Sequence, residues 1–176
     1  MQRRTFLHVA FGLTVLPLTA RAGASPLALL PDLTPLRGGP VTSEALSNRL
    51  VVVTFFASWC PPCYAEFKHL NALRAAFDDA DVAIVGVNLF EDFGGLSSPA
   101  KLARFIDQTQ PAFPLVRGDD RAKRAFGNVD RIPTVFVFDR QGGQAWRFRH
   151  APGARKTHVT EAELTAVLNG LLASPA

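Results

Sequence analysis

The sequence predicts a single α/β domain with a mixed central sheet and helices on both faces. Three apolar runs, at residues 50–57, 82–89 and 134–139, are rich in β-branched and aromatic residues and too short for typical helices. This pattern indicates strands buried within a sheet. Helical patterns follow the first two runs, and an alternating segment after the third favours an antiparallel partner, so a mixed sheet is expected.

The other predicted elements lie between and around these three strands. Residues 27–40 are rich in Pro, Gly and Leu and indicate an arm that ends in a turn at Gly38-Gly39-Pro40. The remaining elements, in chain order, are a helical turn at 43–46, a helix from Cys60 to about Asp78, a helix that starts at Ser98-Pro99, a short strand at 113–116, a short helix at 121–126, a turn at 140–143, a strand at 144–149 and a helix behind the capping box Thr160-x-x-Glu163.

Composition excludes several classes of protein. The chain has 176 residues, of which 48% are apolar and 19% charged, so one domain can bury a full hydrophobic core and wholesale disorder is excluded. Only two cysteines occur, Cys60 and Cys63. A disulfide scaffold and a four-cysteine zinc site are therefore both excluded.

The first 24 residues have the pattern of an export signal peptide. Arg3 and Arg4 precede an apolar run at residues 6–20, and the small residues after it favour cleavage after Ala22 or after Ala24. The adjacent arginines resemble a twin-arginine signal, which would imply export in the folded state. The alternative is an uncleaved membrane anchor, although the apolar run of 15 residues is shorter than the ~20 that cross a bilayer.

Removal of residues 1–24 leaves one predicted domain, residues 25–176, which we expect to work in the periplasm, where disulfides persist. If the signal is not cleaved, a membrane-anchored form is expected instead. The net charge of +4 falls to +1, because losing the three arginines of the signal leaves 16 basic and 15 acidic residues. This balance gives no reason to expect nucleic acid or a membrane surface as a partner.

The two cysteines lie where the first buried strand meets its helix. Cys60 falls near the N-cap, where free backbone N–H groups and the helix dipole favour a thiolate, and Cys63 follows almost one turn later. This spacing predicts thiol–disulfide exchange, in which Cys60 attacks and Cys63 resolves. The alternatives are half of a zinc site or two inert core cysteines, but the histidines do not have the usual ligand spacing, so no metal site is predicted.

Two segments carry a family resemblance. The sequence VVVTFFASWCPPCYAEF, followed later by AFGNVDRIPTVFVFDRQGG, resembles the TlpA/ResA-like branch of thioredoxin-fold proteins, which are exported thiol-disulfide oxidoreductases and include the CcmG type. The resemblance implies a thioredoxin fold over nearly all of the mature chain. Residues 85–116 resemble the βα insertion that distinguishes this branch from small thioredoxins.

The resemblance also implies roles for residues near the cysteines. It implies that Pro133 is cis and faces the cysteine pair, so that the main chain of Ile132 can bind an extended client peptide. The alternative is an ordinary loop proline before a strand. Trp59 is expected to shield Cys60 and shape the docking surface, or simply to pack.

Pro61 and Pro62 bear on the direction of electron flow. N–H groups of the first helical turn normally stabilise an N-cap thiolate, but Pro62 has none at the second position. Cys60 should therefore be a less stabilised thiolate than in oxidising proteins. Because stabilising the reduced form makes such a protein an oxidant, the pair is expected to be a reductant.

Glu66 is a candidate proton acceptor for the thiol of Cys63, three residues earlier. The resemblance matches it to an acidic residue thought to move protons, while the alternative is a solvated glutamate in the first part of the helix. Thr54 stands where small thioredoxins carry a buried aspartate. Glu91, Asp92 and Asp107 are expected to be solvated. Trp146, His150 and His158 are expected to be structural or surface residues.

The leading hypothesis is an exported reductase that keeps client proteins reduced, with clients that include apocytochromes and copper-handling proteins in this family. It needs no cofactor beyond the Cys60–Cys63 pair, acts as a monomer, and depends on an upstream membrane or exported thiol electron donor. The alternatives are a Dsb-type disulfide oxidant or isomerase, and a non-enzymatic Cu(I) carrier.

Overall fold

Six strands form one mixed sheet in the computed structural model, which describes residues 25–96 and 98–174. The predicted signal peptide, residues 1–24, lies outside the described residues. In chain order the strands are β1 Thr34–Arg37, β2 Leu50–Phe56, β3 Val82–Asn88, β4 Leu115–Arg117, β5 Thr134–Phe138 and β6 Gln144–Arg149. Across the sheet the order is β1-β4-β3-β2-β5-β6. The predicted α/β class with a mixed sheet is therefore confirmed.

The strand β2 lies in the middle of this sheet. It pairs in parallel with β3 and antiparallel with β5, so that Val53 lies between Val85 and Phe136. All seven residues of β2 are buried. A strand covered on both faces needs apolar side chains on both, which explains the continuous run from Leu50 to Phe56.

Helices cover both faces of the sheet. Their bounds are α1 Ser43–Leu46, α2 Pro61–Ala76, α3 Pro99–Thr109, α4 Asp120–Ala125 and α5 Glu161–Ala173. Helices α2, α3 and α5 pack on one face through side chains such as Phe67, Phe105 and Leu164. Helices α1 and α4 pack on the other face, with Leu46 and Ala122. No helix in the described ranges is long and apolar enough to cross a membrane.

The segment predicted as an arm, residues 27–40, is more regular than expected. A 3₁₀ helix at Pro26–Asp32 is followed by β1, which pairs antiparallel with β4 at the edge of the sheet. The Ser25 side chain caps this helix, and its Leu27 and Leu30 are buried in the core. Of the features predicted for this segment, the turn is the one that is present, and Gly38 lies there at a φ of 78° beside Pro114. The sequence did not predict the 3₁₀ helix, because the prolines of this segment are equally common in loops.

The predicted insertion, residues 85–116, contains most of β3, a 3₁₀ turn at Phe93–Gly95, helix α3 and most of β4. Ser98 caps α3, since its side chain accepts a hydrogen bond from the backbone of Lys101 at 3.3 Å. Helix α3 ends at Thr109, and the chain then returns to the sheet as β4, parallel to β3. The insertion therefore adds strand β4 to the sheet and helix α3 to the face that α2 covers.

The capping box of α5 forms as predicted. The Thr160 side chain accepts from the backbone N–H of Glu163 at 3.4 Å, and the Glu163 carboxylate accepts from the backbone N–H of Thr160 at 3.1 Å. Two N–H groups that a helix start leaves without partners are thereby satisfied.

We expect Thr160→Ala to lower the free energy of unfolding by about 1 kcal/mol, because the N-cap acceptor is lost. Urea denaturation of the oxidised protein measures this change. The control Thr160→Ser keeps the accepting oxygen and should lose much less. Equal stability of the Ala variant and the unmodified protein would contradict this role of Thr160.

Candidate active site

Cys60 and Cys63 form a disulfide where β2 leads into α2. Cys60 is the N-cap residue of α2, and Cys63 lies in its first turn, with a Cα–Cα distance of 5.4 Å. Both are buried, Cys60 with only 3% of its surface exposed. The short link Ala57–Cys60 is closed by a hydrogen bond from the Cys60 N–H to the Ala57 carbonyl at 3.2 Å. The predicted juxtaposition of the two sulfurs is therefore present.

The start of α2 offers few N–H donors to the Cys60 sulfur. Pro61 and Pro62 are its first two residues and carry no N–H. The N–H of Cys63 donates to the Cys60 carbonyl at 3.1 Å, and among the described residues none donates a capping hydrogen bond to the Cys60 side chain. The helix dipole still favours negative charge at this position.

Trp59 packs against the core that contains both cysteines. Its indole Nε1 donates to the carbonyl oxygen of Phe90 at 2.8 Å, and its ring stacks on Phe93 with centroids 5.7 Å apart. On the other side of the loop, the Tyr64 hydroxyl donates to the Ser58 carbonyl at 3.3 Å. The Trp59 contacts hold the segment before Cys60 against the loop that follows β3, and the Tyr64 contact holds it against α2.

The peptide bond between Ile132 and Pro133 is cis. Pro133 is buried directly before β5, and Ile132 is half-buried and packs against the core that holds the cysteines. His150, interpreted from the sequence as structural or at the surface, donates from Nε2 to the Ile132 carbonyl at 3.2 Å. The main-chain acceptor expected to bind a client thus already has one partner, in the residue that follows β6.

Glu66 is fully buried, so the alternative of a solvated glutamate is wrong. Its Oε1 accepts from the Thr54 hydroxyl at 2.5 Å, whereas Oε2 makes no hydrogen bond within the described residues. Burial raises the pKa of this carboxyl to about 7, although the Thr54 hydroxyl and the nearby N–H of Val159 favour the charged form. A carboxyl with this pKa can exchange a proton near neutral pH.

Glu91 was expected to be solvated, and this expectation is wrong. Only 8% of its surface is exposed. Its carboxylate accepts from the backbone N–H of Ser58 at 3.0 Å, from the Ser58 hydroxyl and from the Asn88 amide at 2.6 Å. The one local signal in the sequence was Asn88 three residues earlier. Asp92 and Asp107 are exposed as expected.

The site is thus bordered by two buried carboxyls. Glu91 ties the segment before Cys60 to the end of β3, while Glu66 reaches from α2 to Thr54 on β2. The described residues contain no group of three or more His, Cys, Asp or Glu side chains that could hold a metal ion.

The rings of His69 and His158 stack, with their centroids 5.6 Å apart. Burial lowers the pKa of His158, and the neighbouring charge of His69 lowers it further.

Comparisons with known proteins agree with the predicted resemblance. The AhpC/TSA family matches residues 27–143. The thiol-disulfide oxidoreductase ResA of Geobacillus kaustophilus is 28% identical over 111 residues, which are 62% of this chain and 60% of that protein. ResA of Halalkalibacterium halodurans is 29% identical over 124 residues, or 70% and 65% of the two chains. The matched region thus spans less than two thirds of these relatives.

Solved structures give the same fold. A thiol-disulfide isomerase from Corynebacterium glutamicum has a TM-score of 0.65 and 20% identity, with 81% of this chain and 95% of that chain covered. A secreted disulfide oxidoreductase of Mycobacterium tuberculosis, described as homologous to DsbE of E. coli, has a TM-score of 0.62 and 20% identity, with 79% and 94% covered. The predicted thioredoxin fold and the resemblance to ResA-type proteins are confirmed, and the chain belongs to the AhpC/TSA family of thioredoxin-like proteins.

Proposed function

We propose that this protein is an exported thiol-disulfide oxidoreductase that reduces disulfides of client proteins through Cys60 and Cys63. The observation that supports it most is the disulfide between these residues at the amino end of α2. The names of the ResA relatives support the reaction class. The signal-peptide pattern of residues 1–24 supports export to the periplasm, with residues 25–176 as the mature domain.

The reaction consists of two exchanges. The thiolate of Cys60 attacks one sulfur of the client disulfide, which breaks that bond, forms a mixed disulfide and releases the other client sulfur as a thiolate. Cys63 then loses its proton and attacks the Cys60 sulfur, which frees the second client thiolate. Two electrons pass to the client, and the protein is left with its Cys60–Cys63 disulfide. An upstream membrane or exported thiol donor must reduce this disulfide again.

The direction follows from the few donors around Cys60. With Pro61 and Pro62 at the start of α2 and the Cys63 N–H directed at a carbonyl, the Cys60 thiolate is weakly stabilised. A dithiol whose thiolate is weakly stabilised gives up electrons more readily. This supports a reductant over a Dsb-type oxidant.

Glu66 acts as the base for Cys63 in the second exchange. Its pKa of about 7 leaves it charged above neutral pH, and its Oε2 makes no hydrogen bond within the described residues, so it can accept a proton. Glu66 follows Cys63 by three residues on α2, and both are buried on the same side of the sheet.

A client peptide binds beside the disulfide at Trp59, Ile132 and Pro133. An extended segment pairs with the main chain of Ile132, in the way that a strand is added to a sheet edge. The Ile132 carbonyl already accepts from His150, and its second lone pair can accept a hydrogen bond from the client backbone. Clients of this monomeric protein are exported proteins with cysteines, such as apocytochromes or copper-handling proteins.

Changing Cys63 to Ala should trap clients on Cys60, because the second exchange can no longer occur. We expect exported cysteine proteins to co-purify through bonds that a reducing agent breaks, and mass spectrometry identifies them. The matched control Cys60→Ala lacks the attacking sulfur and should trap none. Similar adducts in both variants, or none in either, would contradict the proposed order of attack.

Glu66→Gln should slow the second exchange and change its pH dependence. In the unmodified protein the rate should rise as the pH passes about 7, because Glu66 accepts a proton only when deprotonated. The variant should lose this step and react about 100-fold more slowly, as expected when a general base is removed. Release of a coloured thiol from a mixed disulfide on Cys60 measures the rate.

Thr54→Val is the matched variant for this experiment. It removes the hydroxyl that stabilises the Glu66 carboxylate but keeps the base, so the same step should move to higher pH. Identical pH profiles for the three proteins would mean that Glu66 takes no proton from Cys63.

A further inference from the structure

Two large apolar side chains in the loop next to the active-site segment are exposed to solvent. Phe93 is 62% exposed and Leu96 is 45% exposed, and they are the exposed large hydrophobic residues of the part of the chain that the structure describes. Both belong to the loop between β3 and α3, within the insertion. Adjacent exposed apolar residues of this kind mark interaction sites more often than scattered ones do.

The loop that carries these side chains is held against the segment before Cys60. The Phe93 ring stacks on Trp59, the residue before Cys60, and Trp59 is in turn bonded to the Phe90 carbonyl. The Glu91 carboxylate fixes the same loop to the backbone of Ser58. The chain turns between Phe93 and Leu96 with Gly94 and Gly95 at φ values of 60° and 67°, a region that favours glycine. Phe93 is therefore connected through Trp59 to the segment that carries the attacking sulfur, and Leu96 lies in the same loop.

Positive charge borders this surface. Lys101 and Arg104 are exposed on α3 and line a cleft together with Trp59, Tyr64 and Leu96. Neither forms an ion pair with another described residue, although the Lys101 ammonium donates to the Leu96 carbonyl. The exposed acid on this loop, Asp92, offsets one of the two charges. We name the six residues Trp59, Tyr64, Phe93, Leu96, Lys101 and Arg104 the docking cleft.

We propose that the docking cleft binds the client segment next to the target cysteine and selects one in which an apolar side chain stands beside an acidic one. This inference rests on the proposed function and specifies its substrate. Aromatic side chains and Arg dominate binding at protein interfaces, which makes Trp59, Phe93 and Arg104 suitable anchors. The cationic border attracts acidic segments and repels basic ones.

Because the docking cleft contacts the segment before Cys60, it can select which client segments reach the attacking sulfur. A segment that lies on Phe93 and Trp59 is held beside the residue that precedes Cys60 in the chain. Binding there raises the local concentration of the target disulfide and so speeds the first exchange. Steering by exposed charges weakens as salt screens them, so the preference for acidic clients should fall with ionic strength.

The test compares three short peptides with a single cysteine, flanked by Leu-Glu, by Leu-Lys or by Ser-Ser, each joined to a coloured thiol by a disulfide. Reduced full-length protein is mixed with each, and release of the coloured thiol gives the second-order rate constant. We expect the Leu-Glu peptide to react about tenfold faster than the Leu-Lys peptide at low salt, with a smaller ratio at high salt. The neutral disulfide dithiodipyridine is the reference for sulfur reactivity.

Three variants separate the contribution of the charged side chains from that of the apolar ones. The double change Lys101→Glu with Arg104→Glu should reverse the order of the charged peptides. Phe93→Ser with Leu96→Ser should bring the Leu-Glu peptide close to the rate of the Ser-Ser peptide. The matched control Arg124→Glu changes an exposed charge on α4, which packs on the opposite face of the sheet, and should keep the original preference. Ratios of rates within one variant cancel any general change in Cys60.

Equal rates for the three peptides, or an order that the charge reversal leaves unchanged, would overturn the assignment of the docking cleft while leaving the proposed function intact. Sedimentation as a dimer that Phe93→Ser with Leu96→Ser converts to a monomer would also overturn it, because a second copy would then cover the apolar surface. No reaction with dithiodipyridine or any peptide would overturn both the proposed function and the cleft.

Discussion

Burial of β2 on both faces is the constraint on which the site depends. The strand lies between β3 and β5, and its alternate side chains pack into the two separate cores of the sheet. Its carboxyl end is therefore fixed, and α2 starts at Pro61 after four intervening residues, the last of which is the N-cap Cys60. Thr54 faces the same core as α2, which brings its hydroxyl to Glu66. The reactive sulfurs and their candidate proton acceptor thus stand on one rigid strand–helix unit.

Two buried carboxyls flank this unit in different environments. Glu91 accepts hydrogen bonds from a backbone N–H, a hydroxyl and an amide, so its buried carboxyl oxygens have partners and it positions the segment before Cys60. Within the described residues, Glu66 has the Thr54 hydroxyl as its one side-chain donor and its Oε2 makes no hydrogen bond, and burial raises its pKa to about 7. The number of donors separates a structural carboxylate from one able to move protons.

Local patterns in the sequence predicted most of this fold. The apolar run of β2, the caps Ser98 and Thr160 and the position of Cys60 at the start of α2 depend on residues close together in the chain. The helix at Pro26–Asp32 was missed because its stability comes from leucines buried against distant elements. Glu91 and His150 were misjudged or passed over for the same reason: their partners Ser58 and Ile132 lie 33 and 18 residues away. Such contacts follow from the fold and not from any short motif.

The central claim is that the Cys60 thiolate has few donors and that the pair is therefore a reductant. Its most direct test is the reduction potential of the Cys60–Cys63 disulfide, measured by equilibration with glutathione or dithiothreitol buffers. The account predicts a value close to thioredoxin's, about −270 mV. A value close to that of DsbA, about −120 mV, would contradict it and assign the protein to disulfide formation.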